Sequence, residues 1–74
     1  MNIYADKGHK VVAKHFTAGY DSDIQKAKDY LDFNRVYTVE YTDVGGWHTD
    51  VKLQEFDGIT FNSVHFEDFV ENNL

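Results

Sequence analysis

Hydrophobic and polar residues alternate most clearly in the middle of the chain. In Arg35-Val36-Tyr37-Thr38-Val39-Glu40-Tyr41-Thr42, Tyr37, Val39 and Tyr41 fall on one face and Thr38, Glu40 and Thr42 on the other. That period of two predicts a half-buried strand. Gly45-Gly46 follows and predicts a tight primed hairpin turn. The alternation resumes at Trp47, with Trp47, Thr49, Val51 and Leu53 on one face and His48, Asp50, Lys52 and Gln54 on the other. Asp57-Gly58 signals a second hairpin, and Ile59-Thr60-Phe61 is the returning strand. Earlier in the chain, residues 10–16 are short and rich in β-branched side chains, as a first strand requires. Asn62-Ser63-Val64-His65 predicts a short 3₁₀ turn, and residues 66–70 a closing strand before a frayed tail at 71–74.

The period changes once. Ile24, Ala27, Lys28 and Leu31 stand at helical spacing and form a narrow apolar stripe. Ser22 is placed to cap this helix, with Gln25 completing a capping box. Asp21 and Asp23 lie at the positive end of the helix dipole. The helix is short enough that it must dock on the strands to persist. The expected architecture is mainly β, an α+β domain, with one short helix inserted after the first strand.

Composition bounds how such a domain holds together. At 74 residues the chain makes one domain with a thin core. It has no cysteine, so neither a disulfide nor a thiolate zinc site is available. Six Phe, five Tyr and one Trp supply the apolar area instead. No apolar run is long enough to cross a membrane, and the first residues lack the apolar core of a signal peptide, so the expected location is cytoplasmic.

Charge narrows the partners. Thirteen acids against 7 bases give a net charge of -6. Lys7, Lys10 and Lys14 cluster near the start, whereas Asp50, Glu55, Asp57, Glu67, Asp68 and Glu71 face only Lys52 in the last third. Such a balance repels nucleic acid over most of the surface, because backbone phosphates supply most of that binding energy. Nucleic acid is therefore an unfavoured partner, approachable only along the lysine edge or by stacking on Tyr37, Tyr41, Trp47 and Phe56.

The chain carries two resemblances. The order of strand, long loop, three-stranded meander, single turn and short final strand is similar to that of an SH3-like small antiparallel barrel. The run from Gly58 to Glu67 resembles the end of that fold, where a strand passes through a 3₁₀ turn into the closing strand. The chain also resembles small proteins of phages and prophages. The resemblance rests on Lys7-Gly8-His9-Lys10-Val11-Val12, on Tyr37-Thr38-Val39 and on the segment from Phe61 to Glu67. It covers residues 7–68 and implies a barrel fold and a phage-derived accessory role. Peptide-binding SH3 domains carry an Ala-Leu-Tyr start, paired tryptophans and a closing proline. This chain has none of these, so binding of proline-rich ligands is not implied.

Candidate chemistry is sparse. Ser22 and Ser63 are accounted for by a cap and a turn, and the Gly45-Gly46 pair is followed by a strand rather than by the helix N-terminus of a phosphate loop. No enzyme is expected, and no cofactor. His48 and Asp50 share a strand face and would need His15 or His65 to complete a metal site. The acids do not have the spacing of a calcium loop. Trp47 is either an exposed anchor for a partner or an aromatic in line with Val51 and Leu53. The expected function is protein–protein interaction through Trp47, His48, Asp50, Lys52, Gln54, Glu55 and Asp57, by a monomer or by a homodimer paired at an open strand edge. A nucleic-acid mimic that inhibits a DNA- or RNA-processing enzyme is the second expectation, and a weak nucleic-acid binder the third.

Overall fold

The computed structural model describes residues 1–70. The elements in chain order are β1 (Lys10–Ala13), α1 (Asp21–Tyr30), β2 (Val36–Val44), β3 (Thr49–Leu53), β4 (Thr60–Asn62), a 3₁₀ turn (Ser63–His65) and β5 (Phe66–Asp68). The strands form one five-stranded antiparallel sheet in the order β4-β3-β2-β1-β5. The fold is mainly β with one short helix between the first two strands. The tail at 71–74, including Glu71, lies outside the described residues.

The sheet is open. β5 pairs with β1 and β4 pairs with β3, and the two edge strands do not pair with each other, so the expected barrel is not closed. The reason is local: the 3₁₀ turn follows β4 directly and carries the chain to the opposite edge, where β5 is used up against Val11, Val12 and Ala13.

β2 serves both halves of the sheet. Its first residues pair with β1, its later ones with β3, and the register slips between Val39 and Tyr41. A bulge of this kind adds one residue to one strand and reverses which side faces the core. Tyr37 and Val39 are buried as the alternation requires, but Tyr41 is half exposed, opposite Lys52. The expectation that Tyr41 shares their face therefore fails. At the same corner the Thr38 N–H points at both carboxylate oxygens of Glu55, at 3.0 and 3.1 Å. The Thr38 carbonyl accepts from the Gln54 N–H at 2.8 Å.

The core joins Val11, Ala13, Tyr37, Val39, Val51, Leu53, Phe61 and Phe66 to Ala27 and Leu31 of the helix. Of the helical stripe, Ala27 and Leu31 are buried, Ile24 is half-buried and Lys28 is exposed. The helix begins at Asp21, with Tyr20 rather than Ser22 at the cap. Ser22 sits inside the first turn, and Asp23 accepts from the Tyr20 N–H at 3.3 Å. The acid thus supplies the return bond expected of Gln25, whose side chain instead donates to Asp29. The Lys26 ammonium donates to the Thr60 carbonyl at 3.0 Å and covers part of the β4 edge. At the other edge, Met1 donates to the Phe66 carbonyl and the Asn2 N–H to the Asp68 carboxylate.

Candidate functional site

Turn geometry places Trp47. The β2–β3 connection is the four-residue loop 45–48, not the two-residue primed turn expected from Gly45-Gly46. The glycines with positive φ are Gly8, Gly19 and Gly58, so neither Gly45 nor Gly46 is used for the left-handed region. Gly45 is needed for closeness instead. Its N–H donates to the His48 carbonyl at 3.0 Å, and a Cβ there would lie 2.7 Å from that oxygen. The loop projects Trp47 outward, 94% exposed and out of line with Val51 and Leu53.

Trp47 borders an open cleft of about 520 Å³. Three walls meet there: the Gly19–Tyr20 approach to α1, the 45–48 loop, and the stretch from Asn62 to Val64. Ile3 joins them from the N-terminal segment. The walls are braced. Asn62 accepts from the Val64 N–H at 3.1 Å and donates to Asp23 at 3.1 Å, which ties the 3₁₀ turn to the helix. Gly19 has φ +96, and a Cβ on it would come within 3.3 Å of Val64, so both backbone and space call for glycine there. The Tyr20 and His48 rings meet edge to face at 6.5 Å. Tyr20 and Val64 are substantially exposed. Together with Trp47 they leave a patch of large apolar side chains open to solvent beside the cleft.

The cleft borders on carboxylates. His48 Nε2 lies 3.3 Å from Asp50. Asp50 stands opposite Asp43 across β2–β3 and opposite Asn62 across β3–β4, and Asn62 in turn reaches Asp23. Among the described residues no lysine or arginine lines the cleft.

The residues expected to form one interaction surface are divided by the fold. Trp47 and His48 meet at the cleft, and Asp50 adjoins it. Lys52, Gln54, Glu55 and Asp57 lie toward the other end of the hairpin. Two of those are tied to the backbone: the Lys52 ammonium donates to the Leu53 and Phe56 carbonyls, and Glu55 accepts from Thr38. The metal grouping is not assembled. His15 bonds Glu67 at 2.7 Å, and His65 is fully buried with Nδ1 donating to the His15 carbonyl at 3.0 Å. Among the described residues no three metal-ligating side chains converge. The cleft residues missed from sequence are Ile3, Tyr20, Asn62 and Val64. An unexplained Tyr directly before the helix start was the available signal for Tyr20.

A second charged cluster lies where β5 meets the N-terminus. Asp68 accepts from the Asn2 N–H at 3.0 Å and from His9 at 2.8 Å, and these bonds hold its carboxyl below the usual carboxylate range.

With this geometry in place, comparison with known proteins gives a family. Residues 2–74 match the family described as bacteriophage T4 protein Y07B. The chain belongs to that phage protein family. No curated protein and no solved structure matches it. No helix among the described residues is long and apolar enough to cross a membrane.

Proposed function

We propose that this phage-family protein is a small accessory module that binds another protein through the Trp47 cleft. The observation that carries the reading is a nearly fully exposed tryptophan, held by a closed loop on the rim of a braced, partly apolar cleft. Tryptophan dominates binding energy when a partner desolvates it. The reading is of a binding protein rather than an enzyme, since the groups on the cleft serve bracing and contact. Relation to SH3-like barrels is part of the same proposal. It is supported by the strand order, by the bulge that lets β2 serve two half-sheets, and by the 3₁₀ turn leading into β5.

Affinity capture from a lysate of phage-infected bacteria tests the reading, with three baits: wild type, Trp47→Ala and Asp57→Ser. A protein retained by wild type and Asp57→Ser but lost with Trp47→Ala supports the cleft. Retention by all three baits moves the interaction elsewhere on the surface. Trp47→Ala leaves the core intact, so its melting temperature stays within a degree or so of wild type.

A further inference from the structure

One wall of the cleft is held from outside it. Ile3 lines the cleft and is half-buried. Among the described residues it makes no hydrogen bond of its own, so its neighbours set its place. Asn2 is the chief of these. Its side-chain oxygen accepts from the Tyr4 N–H at 3.0 Å and its carbonyl from the Ala5 N–H at 3.1 Å, which folds the chain into a turn about Ile3. The Asn2 N–H itself donates to Asp68 Oδ1 at 3.0 Å. The same oxygen lies 2.8 Å from His9 Nε2, at the far end of the segment. Backbone bonds from Met1 to Phe66 and from Gly8 to Val39 secure the two ends. Between them, one carboxylate of β5 ties Asn2 to His9, although it does not line the cleft.

Resting on the reading of the cleft as a protein-binding site, we infer that Asp68 is a positioning residue for that site: by tying Asn2 to His9 it holds the Ile3 wall in the shape a partner meets. A wall ordered in advance need not be ordered on binding, and affinity gains by that difference. Loss of the tie leaves every lining side chain present and takes away the order of one of them. Glu67 provides the control. It is the neighbouring carboxylate of β5, it is exposed to a similar degree, and it too meets a histidine, His15 at 2.7 Å. Among the described residues it makes no bond to the N-terminal segment.

The test uses amide NMR spectra of the free protein, together with titrated capture of the protein retained in the lysate experiment. Asp68→Ala is expected to shift the amide signals of Trp47 and Val64, on the other walls of the cleft, as Ile3→Ala does. Glu67→Ala leaves them in place. A strand merely loosened by loss of a carboxylate would move them in both variants alike. Asp68→Asn keeps an oxygen for the Asn2 N–H, folds with the tie to Asn2 intact, and shifts the signals less than Asp68→Ala. In capture, Asp68→Ala is expected to bind about two- to tenfold more weakly than wild type, the range for a contact that must be ordered on binding. Glu67→Ala binds as wild type, and Asp68→Ala added to Ile3→Ala costs nothing further, because both act through one wall. Cleft signals that ignore Asp68→Ala or move equally in Glu67→Ala overturn the inference, and so does undiminished binding by Asp68→Ala. If the signals follow Asp68 while capture ignores Trp47→Ala, the protein-binding reading falls and the tie on the wall stands. If capture needs Trp47 while the signals ignore Asp68, the reverse holds.

Discussion

At the scale of single residues, several polar groups do structural work that their exposure conceals. Glu55 is the plainest case. It is exposed and charged, and in sequence it reads as part of an acidic surface, yet it satisfies the Thr38 N–H where β2 bulges. Thr38 is buried, so removing its acceptor strands a donor. Glu55→Ala is expected to cost about 1–3 kcal/mol in urea unfolding, and Glu55→Gln less, because one carboxamide oxygen still accepts. Asp68 gives a pH signature. Its carboxyl titrates lower in the folded protein than unfolded, owing first to the Asn2 N–H and then to His9. A depressed folded value means the unfolded chain takes up the proton first as pH falls. The stabilisation is therefore present above the unfolded value of about 3.9 and is lost as pH drops through the folded value. Asp68→Asn should lower stability at neutral pH and flatten its decline below about pH 4, read from melting temperature against pH. An unchanged acid limb would show that the Asn2 and His9 contacts contribute nothing.

At the scale of elements, the β2–β3 hairpin shows how far the sequence could be read. The inner face of β3 was legible because Thr49, Val51 and Leu53 alternate without interruption. The bulge in β2 was not, because an inserted residue leaves no mark on a pattern of Val, Glu and Tyr until the partner strand is known. Of the two readings of Trp47, the one in line with Val51 fails for a related reason, since periodicity does not carry across a residue that belongs to the loop, while its 94% exposure agrees with the other. The helix was found but its start was shifted, since Ser22 and Asp23 are both good capping residues and only the backbone path decides between them. The two loop glycines separate spacing from conformation. Gly45→Ala puts a Cβ against the His48 carbonyl and is expected to cost about 1–3 kcal/mol. Gly46→Ala meets nothing within 4 Å and should be neutral or slightly stabilising. Thermal melts of the two variants compare them directly, and equal losses would contradict the close approach at Gly45.

At the scale of the whole molecule, a chain this short depends on few large side chains. Phe61 packs edge to face against Tyr30, Phe56 and Phe66 and so links the helix, the connection between β3 and β4, and β5. Phe61→Ala is expected to cost about 3–5 kcal/mol. Total stability for this length is about 4–11 kcal/mol, at roughly 0.05–0.15 kcal/mol per residue, so the variant sits near the threshold of unfolding by denaturant titration. The open sheet is guarded in part at both edges, by Lys26 on Thr60 and by the N-terminal residues on β5. The surface we propose for a partner is the Trp47 cleft, whose tryptophan is the most exposed large hydrophobic among the described residues.

The accessibility of Trp47 in the free and partner-bound protein tests that claim most directly. Acrylamide quenching of its emission, measured on the protein alone and with the captured partner at saturation, gives both states in one experiment. The free protein should be quenched about as readily as a short tryptophan peptide, consistent with 94% exposure, and the complex should be strongly protected. A shielded tryptophan in the free protein, or one as open in the complex as without it, would contradict the assignment of this cleft as the binding site.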